Sequence, residues 1–415
     1  MAAKKNILLV SYYFPPLGMA GVGRPCSLYK YLPKFGYKVY VLTVKKVVYP
    51  HYDFSLLRSP DEERIVRTGS LDPARILYKM GLRRFEGGYG KTAGAALLNF
   101  PDSKRGWNVF ALPKARRLLV KHQIKAVITT SPPPSIHIIG MRIKSQYDIK
   151  WIADFRDYWF SRPIEEMSAY GLQRSYALRL KRRIVAAADE VVGVNSAIKA
   201  YLGRGRVIMN GADQEYEEEW QSAKAAREEL VIGVLGSIHD ICPIEPLFRI
   251  YSEAVRRHPA MKKSIRIMHA GHYDEREMKV LRNKYGLGDR ISWLGYLPKA
   301  KAFRALAGAD ILYFGLRKVH EYNILPGRIF DYFLSGKPIL AVAPPDSEAF
   351  ALLGEYDLGK LITEDSLDEG GRYLHEIYLR KNEGRGVTVS EDRDRSKYTS
   401  MRLAEEYARL LDGLL

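Results

Sequence analysis

The chain has 415 residues, 47% of them hydrophobic, which exceeds one ordinary core and suits two domains. Its two cysteines, Cys26 and Cys242, stand far apart without metal-ligating neighbours, which excludes a disulfide framework and fits a reducing compartment. No run of 18 apolar residues occurs, so no membrane-spanning helix is expected. The net charge of +19 is uneven: residues 1–210 carry 36 Lys+Arg and 14 Asp+Glu, a balance of +22, whereas residues 211–415 carry 30 and 33, a balance of −3. A basic half implies a polyanionic partner (nucleic acid, an anionic membrane surface or a phosphorylated substrate) or simply a soluble basic surface.

The opening MAAKKNILLVSYYFPP has an apolar run too short for a secretion signal and no small-residue cleavage site, so it reads as a first β-strand over 6–11. The loop FPPLGMAGVGRP (14–25) leads into a helix over 22–35. Its glycines, Gly18, Gly21 and Gly23, do not fit G-x-G-x-x-G, and the second strand (38–43) runs into LTVKK with no acid for a ribose diol, which disfavours a nicotinamide enzyme. A turn around Gly21, Gly23 and Arg24 lets a phosphate approach closely, or is a turn without a ligand. Residues 49–102, rich in Arg, Gly and Tyr, read as an irregular insertion over one face, with one weak strand at 64–69.

A helix over 108–122 and a strand over 125–130 follow, then TTSPPPSIHIIG (129–140), whose prolines stop the strand and place His137 in the first turns of a helix over 135–146. His137 there is an acid, a base or a phosphate donor, or a packed or capping histidine. In WIADFRDYW (151–159) a strand over 150–155 ends in Asp154, Arg156 and Asp157. Ligands of open α/β sheets bind at such carboxyl ends, so these groups suit holding acceptor hydroxyls or taking a proton; the alternative is an Asp–Arg ion pair steadying the loop. A helix over 172–188 carries Arg174, Arg179, Lys181, Arg182 and Arg183, which suit lipid headgroups, a nucleic acid backbone or a solvated face. A strand over 190–195, a helix over 196–202 and a strand over 206–211 close the first half.

The acidic stretch 212–229 reads as a hinge or connector, and the pattern then restarts with strands at 230–237, 264–271, 290–295, 310–315, 338–343 and 360–363. VLGSIHD (234–240) is a small-residue turn with Gly236 and Ser237, and HAGHYD (269–274) sets His269 and His272 in a spacing that is not a zinc pattern, so no metal is read there. LPGRIFDYFLSGKP (325–338) is a short amphipathic helix with Pro326 and Gly327 at its mouth. Arg328 and Asp331, three apart, form either a seat for a phosphate and a sugar hydroxyl or a surface ion pair. Residues 398–415 form a final amphipathic helix.

Taken in order, FPP-G-G-R, TSPPPS-H-IG, WIADFRD-W, the glycine after the strand at 230–237, and PGRIFDYFLSGKPIL resemble the glycosyltransferase family 4-like enzymes of GT-B fold, over nearly the whole chain and least at 49–100. The resemblance implies an α/β chain of two Rossmann-like parallel-sheet domains facing a cleft: 1–211 binding the acceptor, 212–395 binding a nucleotide-activated sugar, and 396–415 crossing back as a helix to the first domain. It implies that Arg328 binds a diphosphate and Asp331 a ribose, with Gly236, Ser237 and Gly327 cradling phosphate. It further implies that the Gly21–Arg24 loop lies at the cleft, with Asp154, Arg156, Asp157 and His137 near the reacting centre. Such enzymes retain anomeric configuration, need no metal or cofactor, and use a nucleotide diphosphate-sugar as donor. The chain departs from the family by having Arg328 and Asp331 for lysine and glutamate, Arg156 for histidine, and Asn323 where many members carry a glutamate, with Glu321 two residues earlier. The expectation is a cytoplasmic, peripherally membrane-bound glycosyltransferase of polysaccharide or glycolipid assembly, acting on a lipid-linked or phosphorylated acceptor. Its rivals are a non-catalytic binding subunit, a sugar-nucleotide epimerase and a nucleic-acid-binding protein, the last without any recognition module.

Overall fold

The computed structural model describes residues 5–57, 61–82, 101–159, 171–222, 229–318, 323–385 and 394–415. The chain divides into two compact units, Met1–Gly211 with Ser400–Leu415, and Ala212–Thr399.

The first unit runs β1 (Lys5–Val10), α1 (Gly23–Tyr31), β2 (Tyr37–Val44), β3 (Ile65–Thr68), α2 (Pro73–Lys79), α3 (Asn108–Lys121), β4 (Ala126–Ser131), α4 (Ile136–Lys144), β5 (Lys150–Phe155), α5 (Gly171–Ala187), β6 (Glu190–Gly193), α6 (Ser196–Leu202) and β7 (Arg206–Val207). The second runs α7 (Glu217–Gln221), β8 (Leu230–Leu235), α8 (Glu245–Arg257), β9 (Ile265–Ala270), α9 (Glu275–Lys284), β10 (Ile291–Trp293), α10 (Lys299–Leu306), β11 (Ile311–Gly315), α11 (Arg328–Ser335), β12 (Ile339–Val342), α12 (Glu348–Tyr356), β13 (Gly359–Ile362) and α13 (Leu367–Asn382). The chain then re-enters the first unit as α14 (Ser400–Leu414).

The strands of each sheet pair in parallel, in the orders β3-β2-β1-β4-β5-β6-β7 and β10-β9-β8-β11-β12-β13. Parallel sheets carry helices on both faces, which is why strands such as NILLV are continuously apolar rather than alternating. Alternate residues of β1 still go to opposite faces. Ile7 and Leu9 join Leu28 of α1 and Tyr407 and Leu411 of α14, whereas Leu8 and Val10 join Ala111 of α3 and Ile139 of α4. In the second unit Leu230, Ile232 and Val234 of β8 meet Phe248 of α8 and Leu374 and Ile377 of α13.

Both sheets grow outward from one strand and then reverse, between β1 and β4 and between β8 and β11. At such a reversal the following loops splay apart and leave a crevice at the carboxyl ends of the strands. This topology, more than any single motif, positions the candidate sites.

Two sequence expectations change. The acidic segment begins where the second unit begins, and its described part is packed rather than a loose connector: Tyr216 and Trp220 are buried in the second unit, where Trp220 stacks on Phe303 of α10 at 4.6 Å. Glu217 and Glu218 face solvent, so the stretch is the acidic outer side of a packed turn of helix. The insertion after residue 49 is in part regular, since Asp72 caps α2 by accepting from the Arg75 N–H at 3.1 Å. Residues 83–100 lie outside the described residues. No helix among the described residues is long and apolar enough to cross a membrane.

One close packing is decisive for the first unit. A Cβ on Gly140 of α4 would lie 2.2 Å from the indole of Trp151 in β5, which is itself 0% exposed. Gly140→Ala is therefore expected to destabilise the protein by about 1–3 kcal/mol, measured as a lower urea midpoint with unchanged slope.

Candidate functional site

At the switch point of the first unit, Arg24 and Asp154 form a buried two-pronged ion pair. Arg24 Nε and Nη2 donate to the two carboxylate oxygens, each at 3.0 Å, and the side chains are 1% and 0% exposed. The remaining donors go to the Met209 carbonyl at 3.1 Å, Asn210 Oδ1 at 3.3 Å and the Tyr407 hydroxyl at 3.0 Å. All five guanidinium N–H groups are thus engaged. Thr130 Oγ1 donates to Asp154 at 2.6 Å. Burial by itself would raise the Asp154 carboxyl, but Arg24 and the Thr130 hydroxyl hold it below the usual range.

This arrangement corrects two expectations. Arg24 has no N–H group left for a phosphate, and Asp154 is too enclosed and too tightly paired to take a proton. The ion pair expected at the end of β5 does exist, but its cation comes from α1 and not from neighbouring Arg156. His137 is also corrected. It is 0% exposed, with its ring tilted against Phe155 at 4.2 Å and Nδ1 2.8 Å from Thr129 Oγ1. Thr129 in turn accepts from the Trp151 indole at 2.9 Å. Burial, aided by Arg156 and opposed by Asp154, pushes this imidazole down to about 3, so it packs as a neutral ring.

Arg156 spans the switch point. Nε donates to the carbonyl of Ser131, the last residue of β4, at 2.5 Å, and Nη1 to the Gly21 carbonyl in the loop after β1 at 2.7 Å. Nη2 is buried with no partner, so one cationic donor remains unsatisfied. Gly21 contributes its carbonyl to this bridge, Gly23 is an exposed first residue of α1, and Asp157 is exposed just beyond β5.

The second switch point is built on the same plan. Arg328, first residue of α11, donates through Nη1 to the Leu235 carbonyl at 2.8 Å and through Nη2 to the Ser237 carbonyl at 3.5 Å, so it lies against the loop after β8. Gly236 turns that loop with φ 93°, a conformation that favours glycine, and its carbonyl accepts from His269 Nε2 at 2.8 Å. His269 is buried and pushed down to about 4 by desolvation, against the pull of that carbonyl. It therefore acts as a neutral prop for the loop, with the tautomer set by its bond to Gly236. A Cβ on Gly271 would meet the Gly236 carbonyl oxygen at 2.0 Å, so only glycine lets the β8 and β9 loops approach this closely. Cys242 sits beside Arg328; burial would raise its thiol, but Arg328 and His239 hold it below its usual value.

Sequence reasoning missed two residues here. Tyr332 of α11 accepts from the Leu235 N–H at 3.0 Å and donates to the Tyr313 carbonyl at 2.9 Å, tying β8 to β11 where they part. Lys299, at the start of α10, pairs with Asp331 Oδ1 at 2.9 Å, so Asp331 is not bonded to Arg328 as a surface ion pair would be. Burial pushes the Asp331 carboxyl up, and Lys299 counters it. The amphipathic spacing gave the buried face of α11 but not these partners, which lie far away in sequence. Gly327 precedes Arg328 at the open end of the helix and is exposed. Asn323 accepts from the Glu348 N–H at 3.1 Å and so helps hold the start of α12; Glu321 lies outside the described residues.

No protein-family model and no curated protein matches the chain. Among solved structures, it is similar to sucrose-phosphate synthase from Thermosynechococcus elongatus, at 14% identity over 99% of each chain with a TM-score of 0.64. It is similar to the catalytic domain of starch synthase IV from Arabidopsis thaliana, bound to ADP and acarbose, at 11% identity over 100% of this chain and 99% of that one, TM-score 0.57. It is also similar to WaaG, a glycosyltransferase involved in lipopolysaccharide biosynthesis, at 12% identity over 98% and 95%, TM-score 0.51. The fold is thus the two-domain α/β architecture of the GT-B glycosyltransferases.

Two outcomes follow from the first switch point. Asp154→Ala, which leaves Arg24 buried without its anion, is expected to cost about 3–5 kcal/mol in chemical denaturation, and adding Arg24→Ala should cost far less than the sum of the single changes. Because the His137 imidazole is held below its unfolded value of 6.5, the unfolded chain binds more protons below that pH. Its contribution to stability is complete above pH 6.5 and falls by about 1.4 kcal/mol per pH unit toward pH 3. Urea midpoints measured at successive pH values should show this slope, and His137→Gln should flatten it.

Proposed function

We propose that the protein transfers a sugar from a nucleotide diphosphate-sugar to an acceptor hydroxyl, with retention of anomeric configuration. The observation that carries this reading is the second switch point, where Arg328 lies at the open N-terminus of α11 against the Gly236–Ser237 turn. A guanidinium beside the positive end of a helix dipole favours a diphosphate. One turn into the helix, Asp331 is placed to accept from ribose hydroxyls, exchanging or sharing its contact with Lys299. The starch synthase structure, which shares the fold, carries ADP.

In the reaction, the acceptor oxygen forms the new bond to the anomeric carbon on the face from which the diphosphate departs. The carbon–oxygen bond to the β-phosphate breaks, and the acceptor proton passes to a diphosphate oxygen. Arg328 and the helix start offset the charge that grows on the diphosphate, so their effect is larger in the transition state than in the ground state. Arg156 and Asp157, at the end of β5 in the first unit, orient the acceptor side, while Asp154 and Arg24 act by holding that loop in place.

The acceptor in this reading is lipid-linked or phosphorylated, and the protein works at an anionic membrane surface on the cytoplasmic side. The first half carries the +22 balance, and Arg179, Arg182 and Arg183 of α5 are exposed. Leu71, Met80, Val109 and Tyr176 are exposed apolar side chains of the same unit, at 55%, 77%, 59% and 58%. Basic and apolar groups on one unit suit a headgroup region.

A thermal-shift screen against UDP, GDP, ADP and their sugar conjugates tests the donor. One nucleotide family should stabilise the protein, by about 2.7 kcal/mol at 100 times its dissociation constant. Arg328→Ala should weaken binding by about 1.5–3 kcal/mol, and Asp331→Ala should reduce the preference for nucleotide over pyrophosphate. The absence of a shift with every nucleotide would refute the reading.

A further inference from the structure

One strand step away from the first switch point, a recess of about 220 Å³ opens at the carboxyl ends of β2 and β3. Its lining includes Pro16, Lys45, Lys46, Phe54, Leu57 and Arg67. The donor chemistry above uses none of these residues.

The recess is held open by backbone bonds on both sides. Lys45 N–H donates to the Thr68 carbonyl at 2.8 Å, and the Lys46 carbonyl accepts from the Arg75 guanidinium. The Tyr52 hydroxyl donates to the Val47 carbonyl at 2.6 Å and accepts from the Val47 N–H at 3.2 Å. Across the opening, Gly18 N–H donates to the His51 carbonyl at 2.9 Å and Asp53 N–H to the Pro16 carbonyl at 2.7 Å. The two lysine side chains, both exposed, therefore rise from a fixed strip of chain. Among the described residues, no carboxylate pairs with either. Arg67 of β3 adds a third cation and donates to the Pro15 carbonyl at 2.7 Å. Asp53 is the carboxylate in the lining; it is 2% exposed and accepts from the Ser55 N–H and hydroxyl at 2.8 and 2.6 Å. At the lip, Phe54 is 70% exposed and lies nearly parallel to Tyr52, 6.3 Å away at 18°.

In a dinucleotide-binding sheet a carboxylate at the end of the second strand reads a ribose diol. Here that place is taken by two ammonium groups. Three cations around a walled opening favour a dianion, and the surrounding low-dielectric chain focuses their field. The exposed face of Phe54 offers the C–H edge of a sugar a flat apolar surface beside them.

We propose that this recess seats the phosphate or diphosphate ester of the acceptor, with Lys45, Lys46 and Arg67 meeting the anion and Phe54 the adjoining group. The proposal rests on the reading of the protein as a glycosyltransferase. The same chemistry is offered by a water-soluble phosphate ester and by a lipid-borne one, and the test separates them.

Titration calorimetry with inorganic pyrophosphate on the 415-residue chain, on Arg328→Ala and on Lys45→Gln/Lys46→Gln distinguishes this recess from the donor seat. Arg328→Ala should retain a pyrophosphate site. Adding the two lysine substitutions to it should weaken that site by about tenfold or more, whereas Lys45→Arg/Lys46→Arg should keep it. Nucleoside diphosphate binding should survive the lysine substitutions. Competition by glycerol 3-phosphate assigns a soluble ester. Flotation with phosphatidylcholine vesicles containing phosphatidic acid, lost in Lys45→Gln/Lys46→Gln, assigns a lipid-borne one. Pyrophosphate binding that is absent from Arg328→Ala, or unchanged by the lysine substitutions, overturns the proposal. A wild-type protein that ignores every nucleotide yet binds pyrophosphate through the lysines would sink the donor reading and leave the recess standing.

Discussion

The first unit depends on one guanidinium whose five donors all end inside the protein. Arg24 ties the start of α1 to the end of β5 through Asp154, to the chain leaving β7 through Met209 and Asn210, and to α14 through Tyr407. Desolvating two charges this completely is tolerable only because each finds full hydrogen bonding. The consequence is positional. The carboxyl end of β5 is fixed against α1, and Arg156, two residues past Asp154, is thereby held where it can bridge the loop after β1 and the end of β4.

The two switch points solve one physical problem in similar ways. Where a parallel sheet reverses its order, backbone groups of the diverging loops lose their neighbours and need other partners. In the first unit Arg156 binds the carbonyls of Gly21 and Ser131; in the second Arg328 binds those of Leu235 and Ser237, and Tyr332 closes the gap between β8 and β11. An arginine in such a crevice is a structural clamp that also brings a cation to the carboxyl edge of the sheet. A cation at a strand end has the same local sequence whether it clamps a loop or meets a phosphate, which is why a bare motif reads equally well as an ion pair and as a phosphate seat.

Lysines at the end of β2 extend the same logic along the sheet. The carboxyl edge carries a cation at the switch point of each unit, and in the first unit a further group at β2 and β3. The basic balance of the first half is therefore partly organised at its strand ends and partly spread over α5, rather than being a uniform surface property.

The strands, their parallel pairing and the amphipathic face of α11 are legible in the sequence, because buried strands and packed helices each impose a local apolar period that needs no distant information. The sequence also placed Arg328 and Asp331 at a helix mouth, since proline and glycine mark such a boundary wherever they occur. Which charged residues are occupied depends on neighbours that the fold brings together. Asp154, Arg24 and His137 look available in a linear reading, yet Asp154 meets a partner from α1, and His137 is enclosed by Phe155 and Thr129. Lys299 and Tyr332 became visible only when α10 and β8 were brought beside α11. The reason is that burial and pairing are properties of three-dimensional neighbours, and a carboxylate at a strand end has the same local sequence whether it faces a ligand or a guanidinium from another helix.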